Sequence, residues 1–175
     1  MRRDGSLSTV AQRYAYRLVP AGNERVPELQ QRSGADSVYR VRLKNEVERA
    51  VACSRHDALA RSLLANVFLL EGRYVEARRE LLAALRVSPG TPRAHQRLGL
   101  LALEQGEPRR ALAEFAAERR LTGAQPGLAF GIGRAYGRLG DSRRAAAWYR
   151  RELELDPGNQ EARDSLGAEL NGGQP

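Results

Sequence analysis

The residues that come closest to a catalytic grouping are Cys53, His56 and Asp57. A nucleophile needs a neighbouring base and an orienting carboxylate, and on a continuing helix Cys53 and His56 would share one face. The simpler interpretation is a helix end, with Asp57 as the N-cap of the helix that follows. Acidic pairs such as Glu104 and Glu107 are typical of solvated helix surfaces. We therefore predict a non-enzymatic protein.

Cofactor and metal sites are not expected either. The run from Gly131 to Gly137 superficially resembles a dinucleotide fingerprint, but that motif needs a preceding strand, and none is predicted here. His56 and His95 are the only histidines and Cys53 the only cysteine, so no cluster has metal-ligand spacing. We predict no cofactor and no metal.

Glycines recur in this sequence with a fixed period. Gly72, Gly106 and Gly140 are 34 residues apart, and an alanine follows each of them five residues later. Around each glycine, apolar residues recur at helical spacing on both sides. A period of about 20–50 residues indicates stacked repeats, each of which buries its apolar face against its neighbours.

The repeat resembles the tetratricopeptide repeat, a 34-residue helix–turn–helix unit. The positions that carry the resemblance are the large and small residues of the first helix, the turn glycine, and the small and bulky residues of the second helix. In chain order these are Leu64, Ala65, Gly72, Ala77 and Leu81; Leu98, Gly99, Gly106, Ala111 and Phe115; and Ile132, Gly133, Gly140, Ala145 and Tyr149. The resemblance covers residues 58–170 and implies an all-α solenoid. Its units are 58–91, 92–125 and 126–159, opened by Ala58, Pro92 and Pro126, with a C-terminal capping helix over 160–170 and a disordered tail over 171–175.

Two parts of the sequence depart from this pattern. A small second-helix residue, Ala84 in the first unit, is replaced by Glu118 and Glu152, and we expect each carboxylate to loosen packing unless an arginine meets it. Residues 38–57 are predicted as a capping helix, although residues 39–44 alternate as a strand would. Residues 1–37 are expected to be poorly structured or loosely packed.

The resemblance also implies a ligand groove lined by first-helix side chains. The lining positions hold Asn66, Leu70, Gln96, Arg97, Leu100, Gly127, Gly131, Arg134 and Arg138. One interpretation is a bare glycine floor with an arginine rim that suits an acidic peptide, because guanidinium groups pair well with carboxylates. The alternative is that these arginines are ordinary solvated side chains. Chaperone-tail receptors of this family use five defined polar residues, of which only Asn66 is present, so that specific role is not expected.

The charge distribution bears on the remaining alternatives. Residues 1–55 carry 11 basic and 6 acidic residues, net +5, whereas residues 56–175 carry 18 and 15, net +3. A nucleic-acid-binding role would therefore reside in the N-terminal segment, and it is a less favoured interpretation. A self-associating assembly subunit is a further, also less favoured, alternative. No apolar run reaches the length of a membrane span, and a cytoplasmic location is expected. The leading hypothesis is a scaffold that binds a peptide or helix of a partner protein.

Overall fold

The computed structural model describes residues 57–172 and, before them, Val41, Lys44, Asn45, Glu48, Arg49, Val51 and Ala52. Residues 57–172 contain no strand and form helices that we number α1 to α7 in chain order. Their bounds are Ala58–Leu70, Tyr74–Val87, Ala94–Glu104, Pro108–Thr122, Leu128–Arg138, Ser142–Leu155 and Gln160–Gly172. The prediction of an all-α repeat fold is confirmed.

The turn between the helices of each pair has the same construction three times. Gly72, Gly106 and Gly140 have φ values of 71°, 74° and 75°, in the left-handed region that a residue without Cβ enters freely. The backbone N–H after each glycine donates to a carbonyl five residues earlier, as from Arg73 to Phe68 at 2.8 Å. This is the helix-ending arrangement that glycine favours. The glycine that recurs every 34 residues therefore lies at the hydrogen-bonded C-terminus of the first helix of each pair.

Two first helices begin later than predicted. Pro92 and Pro126 were expected to open helices, but α3 and α5 begin two residues later, at Ala94 and Leu128. The residue after each proline has positive φ, 58° at Arg93 and 82° at Gly127, so the chain cannot yet be helical there. In contrast, Pro108 does occupy the first turn of α4, where its missing N–H is harmless.

The chain divides into two compact units, the first extending to Ala94 and the second beginning at His95. In the first unit α1 packs against α2, and Leu64, Phe68 and Leu81 are buried. Asp57 caps α1 as predicted, because its Oδ1 accepts from the Ala60 N–H at 2.8 Å. Lys44 lies 2.9 Å from a carboxylate oxygen of Glu71.

The second unit contains most of α3 and all of α4 to α7. One buried cluster joins α3, α4 and α5, and a second joins α5, α6 and α7. Phe115 belongs to the first cluster and Tyr149 to the second. Each second helix of this unit thus contributes a buried aromatic ring to the core, and Trp148 of α6 also packs against the first cluster.

Glu118 and Glu152, for which looser packing is expected unless an arginine meets them, are 1% and 0% exposed. Both accept hydrogen bonds from backbone N–H groups. Glu118 Oε2 accepts from the Gln96 N–H at 3.3 Å, near the start of α3. Glu152 accepts from the N–H groups of Gly127 at 2.7 Å and Phe130 at 3.2 Å, at the start of α5. Each carboxylate satisfies a helix N-terminus, where backbone donors have no partner within the helix.

Several predictions fall outside the described residues. These are the state of residues 1–37, most positions of the predicted 38–57 helix, the grouping of Cys53 with His56, and residues 173–175 of the tail. The helix α7 ends at Gly172, so the first two residues of the predicted tail are helical. None of the helices in the described part of the chain has both the length and the apolar character needed to cross a bilayer.

Candidate peptide-binding surface

Two arginines predicted to line a groove lie one turn apart on α5 and reach back to the end of α3. Arg134 Nη2 is 3.3 Å from Oε1 of Glu104, and Arg138 donates to the carbonyl oxygen of Leu103. The last carbonyls of a helix lack intrahelical donors and carry the negative end of the helix dipole. The arginine pair therefore neutralises the C-terminus of α3 and ties α5 to it.

The ion pair between Arg134 and Glu104 is at the surface. The two side chains are 25% and 39% exposed. An exposed ion pair of this kind contributes about 0–1 kcal/mol.

The glycines predicted to line the groove are buried or hydrogen-bonded within the second unit. Gly127 is the N-cap of α5 rather than an interior helix residue, and its N–H is held by Glu152. A Cβ at Gly131 would lie 2.8 Å from Cζ of Phe115. Close contact with Phe115 of α4 therefore explains the glycine at position 131. The backbone N–H of Gly127 is already hydrogen-bonded to Glu152.

The predicted lining residues of α3 are more buried than side chains of an open groove would be. Gln96 is 6% exposed and Arg97 is 9% exposed. Leu100 is half-buried against the cluster around Phe115. Arg134 and Arg138 are consequently the predicted lining residues with the most accessible functional groups in this unit.

Asn66 and Leu70 belong to the first unit. Leu70 is buried. The Nδ2 atom of Asn66 is also buried and has no hydrogen-bond partner. A buried amide donor without an acceptor is energetically costly.

Two features of the second unit were not anticipated from the sequence. One is the partnership of Arg134 and Arg138 with Glu104 and Leu103, for which the sequence carries no signal. The other is an open depression of about 610 Å³ beside the helix turns. Its lining consists of Gly106, Glu107, Pro108, Arg109, Arg110 and Leu139.

The pKa values of Asp141 and Tyr149, both on this unit, are shifted. The pKa of Asp141 is lowered, chiefly because its carboxylate accepts from the Arg144 N–H at 2.9 Å and then from the Arg144 side chain. Burial raises the pKa of the Tyr149 hydroxyl, with a further contribution from the negative charge of Glu169. Asp141 thus acts as an ionised cap of α6, and Tyr149 as a neutral core ring.

A comparison with family models identifies the repeat. Residues 96–160 match the model described as the tetratricopeptide repeat. The helix pairs within residues 96–160 are tetratricopeptide repeats. A comparison with the curated proteins gave no match.

Solved structures of tetratricopeptide-repeat proteins share this fold. MamA from Desulfovibrio magneticus RS-1 is 14% identical, with a TM-score of 0.69 over 95% of this chain and 86% of that one. YrrB, described as having an unusual peptide-binding site, is 18% identical, with a TM-score of 0.65 over 97% and 78%. The first such domain of Spaghetti (RPAP3), bound to an HSP90 peptide, is 22% identical, with a TM-score of 0.63 over 66% and 91%.

Proposed function

We propose that this chain is a non-catalytic scaffold that binds a short acidic segment of another protein. The observation that carries the proposal is the arginine pair of α5, whose present partners are a surface carboxylate and a helix-terminal carbonyl. A guanidinium group can form two parallel hydrogen bonds with a carboxylate, so two arginines one turn apart suit two acidic residues of an extended peptide.

The fold supports the same proposal. Stacked helix pairs present a preformed surface, which lowers the ordering cost of binding on the receptor side. YrrB is described as having a peptide-binding site, and the Spaghetti domain is described as bound to a peptide. At 18% and 22% identity these likenesses establish the fold, and the acidic preference is inferred from the arginines of this chain.

The test is peptide selection from a random library on the full-length protein. We expect enrichment of peptides with neighbouring acidic residues, and loss of binding when those residues are replaced by Asn or Gln. The double variant Arg134→Glu, Arg138→Glu should abolish binding, because it places like charges against the ligand. Arg150→Glu is the matched control, since Arg150 is an exposed arginine on the second helix α6.

A second variant tests the exchange of partners. Glu104→Gln removes the internal competitor of Arg134 and should tighten binding of the selected peptide about two- to fivefold, the range expected for one exposed ion pair. Peptides selected without acidic enrichment, or binding unchanged by the double arginine reversal, would overturn the acidic-ligand proposal.

A further inference from the structure

Most acidic residues of the second helices α4 and α6 lie away from the surface of the second unit. Glu118 and Glu152 are 1% and 0% exposed, and both accept hydrogen bonds from the starts of first helices. Glu114 is 22% exposed, and its Oε2 lies 2.8 Å from Nδ1 of His95. Only Glu154, which is 61% exposed, remains at the surface to offset the eight arginines of these two helices.

Four of these arginines point directly away from the core, and we call them the outer arginines. On α4 they are Arg109 and Arg120, which share the helix face opposite the buried Glu118. On α6 they are Arg143, which follows Arg109 by 34 residues, and Arg150. All four are exposed. At 1.5 Å per residue, the two on α4 are about 16 Å apart along the helix axis and the two on α6 about 10 Å apart.

The outer arginines differ from the arginines beside them in having no bonded carboxylate. Each of three neighbours pairs with an acidic residue three positions away, Arg110 with Glu107, Arg144 with Asp141, and Arg151 with Glu154. Within the part of the chain that the structure describes, no hydrogen bond or ion pair holds an outer arginine. Hydrogen bonds from Arg144 lower the pKa of Asp141 most, and Arg143 contributes only through its charge. Residues 1–55 have a net charge of +5, so the sequence before the repeats adds positive charge.

The side chains between the outer arginines are small. Ala113 and Ala116 separate the pair on α4, and Ala147 lies between the pair on α6. Protein interfaces and membrane-bound helices use large apolar side chains as anchors, and these two helix faces carry none. A phosphate group needs only the forked donors of a guanidinium group. Small neighbouring residues leave room for a phosphate backbone to approach.

Aromatic rings are not available on this surface. Every aromatic side chain within residues 57–172 is buried or half-buried. Arg119 covers the ring of Trp148, because its guanidinium carbon is 5.4 Å from the ring centre. Single-stranded nucleic acids are held by stacking of their bases on aromatic side chains. The outer arginines therefore suit a duplex, whose bases are already stacked and whose phosphates face outward.

We propose that the outer arginines bind the phosphate backbone of a nucleic-acid duplex and do not read its sequence. The net charge of residues 56–175 is only +3 and does not reveal this surface, because that sum includes the buried Glu118 and Glu152. Arg134 and Arg138 are on the first helix α5 and take no part. The surface is therefore separate from the one proposed for an acidic peptide.

The test is fluorescence anisotropy of the full-length protein with a labelled duplex of about 20 base pairs, made as DNA and as RNA, at about 50–200 mM salt. Four phosphate contacts predict a slope of about −3.6 for the logarithm of the association constant against the logarithm of the salt concentration on DNA. Duplexes of unrelated sequence should bind equally, because the contacts are to phosphates alone.

A pair of double variants separates the outer arginines from general attraction. Arg120→Gln with Arg150→Gln should weaken binding at least about tenfold and make the salt slope shallower by about 2. Its melting temperature should stay that of the parent, since neither side chain bonds a carboxylate. Arg110→Gln with Arg151→Gln is the matched control, because it removes two charges from the same two helices at positions already paired. It should change the affinity less than about threefold.

Several results would overturn the proposal. One is no binding of the duplex at about 50 mM salt. Another is equal weakening by the two double variants, which would indicate attraction by net charge alone, or binding unchanged by Arg120→Gln with Arg150→Gln. A single strand of the same length that bound as tightly as the duplex would also contradict it. If polyglutamate or phosphatidylserine vesicles bound more tightly than the duplex and lost binding in the same variant, the partner would be an acidic protein or a membrane.

Discussion

Replacing Glu152 by alanine tests the idea that a buried carboxylate on a second helix caps the first helix of its own repeat. The side chain is fully buried and accepts three hydrogen bonds, from Gly127 N at 2.7 Å, Phe130 N at 3.2 Å and Asn159 Nδ2 at 3.1 Å. Glu152→Ala would leave these three donors without their acceptor.

The magnitude follows from those three donors. Each buried donor left unpaired costs about 1–3 kcal/mol. Removing a buried charge recovers part of its desolvation penalty, so the sum is an upper limit. We expect Glu152→Ala to lower the free energy of unfolding by about 3–5 kcal/mol. Glu152→Gln should also destabilise, because its amide group would face at least one of the N–H donors.

The assay is urea denaturation followed by circular dichroism and by Trp148 fluorescence. Glu154→Ala is the matched control, because Glu154 is on the same helix, is 61% exposed and pairs with Arg151 at the surface. It should change stability by less than about 0.5 kcal/mol. Hydrogen exchange at the Gly127 and Phe130 amides should accelerate selectively in Glu152→Ala. If Glu152→Ala is no more destabilising than Glu154→Ala, the capping role is refuted.

Two further predictions concern packing and pH. Gly133→Ala should lower the free energy of unfolding by about 1–3 kcal/mol despite better helix propensity, because its methyl group would overlap the Tyr149 ring, and urea denaturation measures the loss. Asp141→Asn should remove one source of acid sensitivity. Because hydrogen bonds from Arg144 hold the pKa of Asp141 below its ordinary 3.8, the ionised cap stabilises the fold at neutral pH and loses this effect as the pH falls through the lowered pKa. Thermal melts from pH 7 to pH 2 should show the gap between the parent and Asp141→Asn narrowing below about pH 4; a constant gap would contradict the assignment.

The helix turns could be predicted from the sequence because their determinant is local. Gly72, Gly106 and Gly140 each have a left-handed backbone conformation that favours glycine, so a single residue type signals each turn. The first residues of α3 and α5, Ala94 and Leu128, could be predicted less accurately than the turns. Proline favours a first turn in general, but whether the next residue is already helical depends on how the chain enters the repeat.

The arginine partners could not be predicted because they depend on packing between repeats. Arg134 and Glu104 are 30 residues apart in sequence, and the family pattern assigned Arg134 to a ligand-facing position without showing what else it contacts. The glycine at Gly131 illustrates the same limit. The family resemblance implies that this position faces a ligand, whereas the ring of Phe115 occupies the space beside it. Periodicity identifies which positions share a helix face, but the neighbour that fills the space is set by tertiary packing.

A comparison of the N-termini of α1, α3, α5 and α7 explains why Glu118 and Glu152 depart from the repeat pattern. Asp57 and Asn159 cap α1 and α7 with their own side chains, accepting from Ala60 N at 2.8 Å and Ala162 N at 3.0 Å. The residues in the same register before α3 and α5 are Thr91 and Gln125, and the N-cap of α5 itself is Gly127, which has no side chain to accept a hydrogen bond. The Thr91 hydroxyl donates to the Ser88 carbonyl at 2.7 Å.

In those two repeats the second helix supplies an acceptor, as Glu118 for α3 and Glu152 for α5. The first repeat, whose Asp57 caps α1, carries Ala84 at the corresponding second-helix position. A first helix is thus capped either by the residue that precedes it or by a carboxylate on the second helix of its own repeat. The carboxylates that departed from the repeat pattern therefore compensate for weaker N-cap residues, because the N–H groups at a buried helix start need an acceptor.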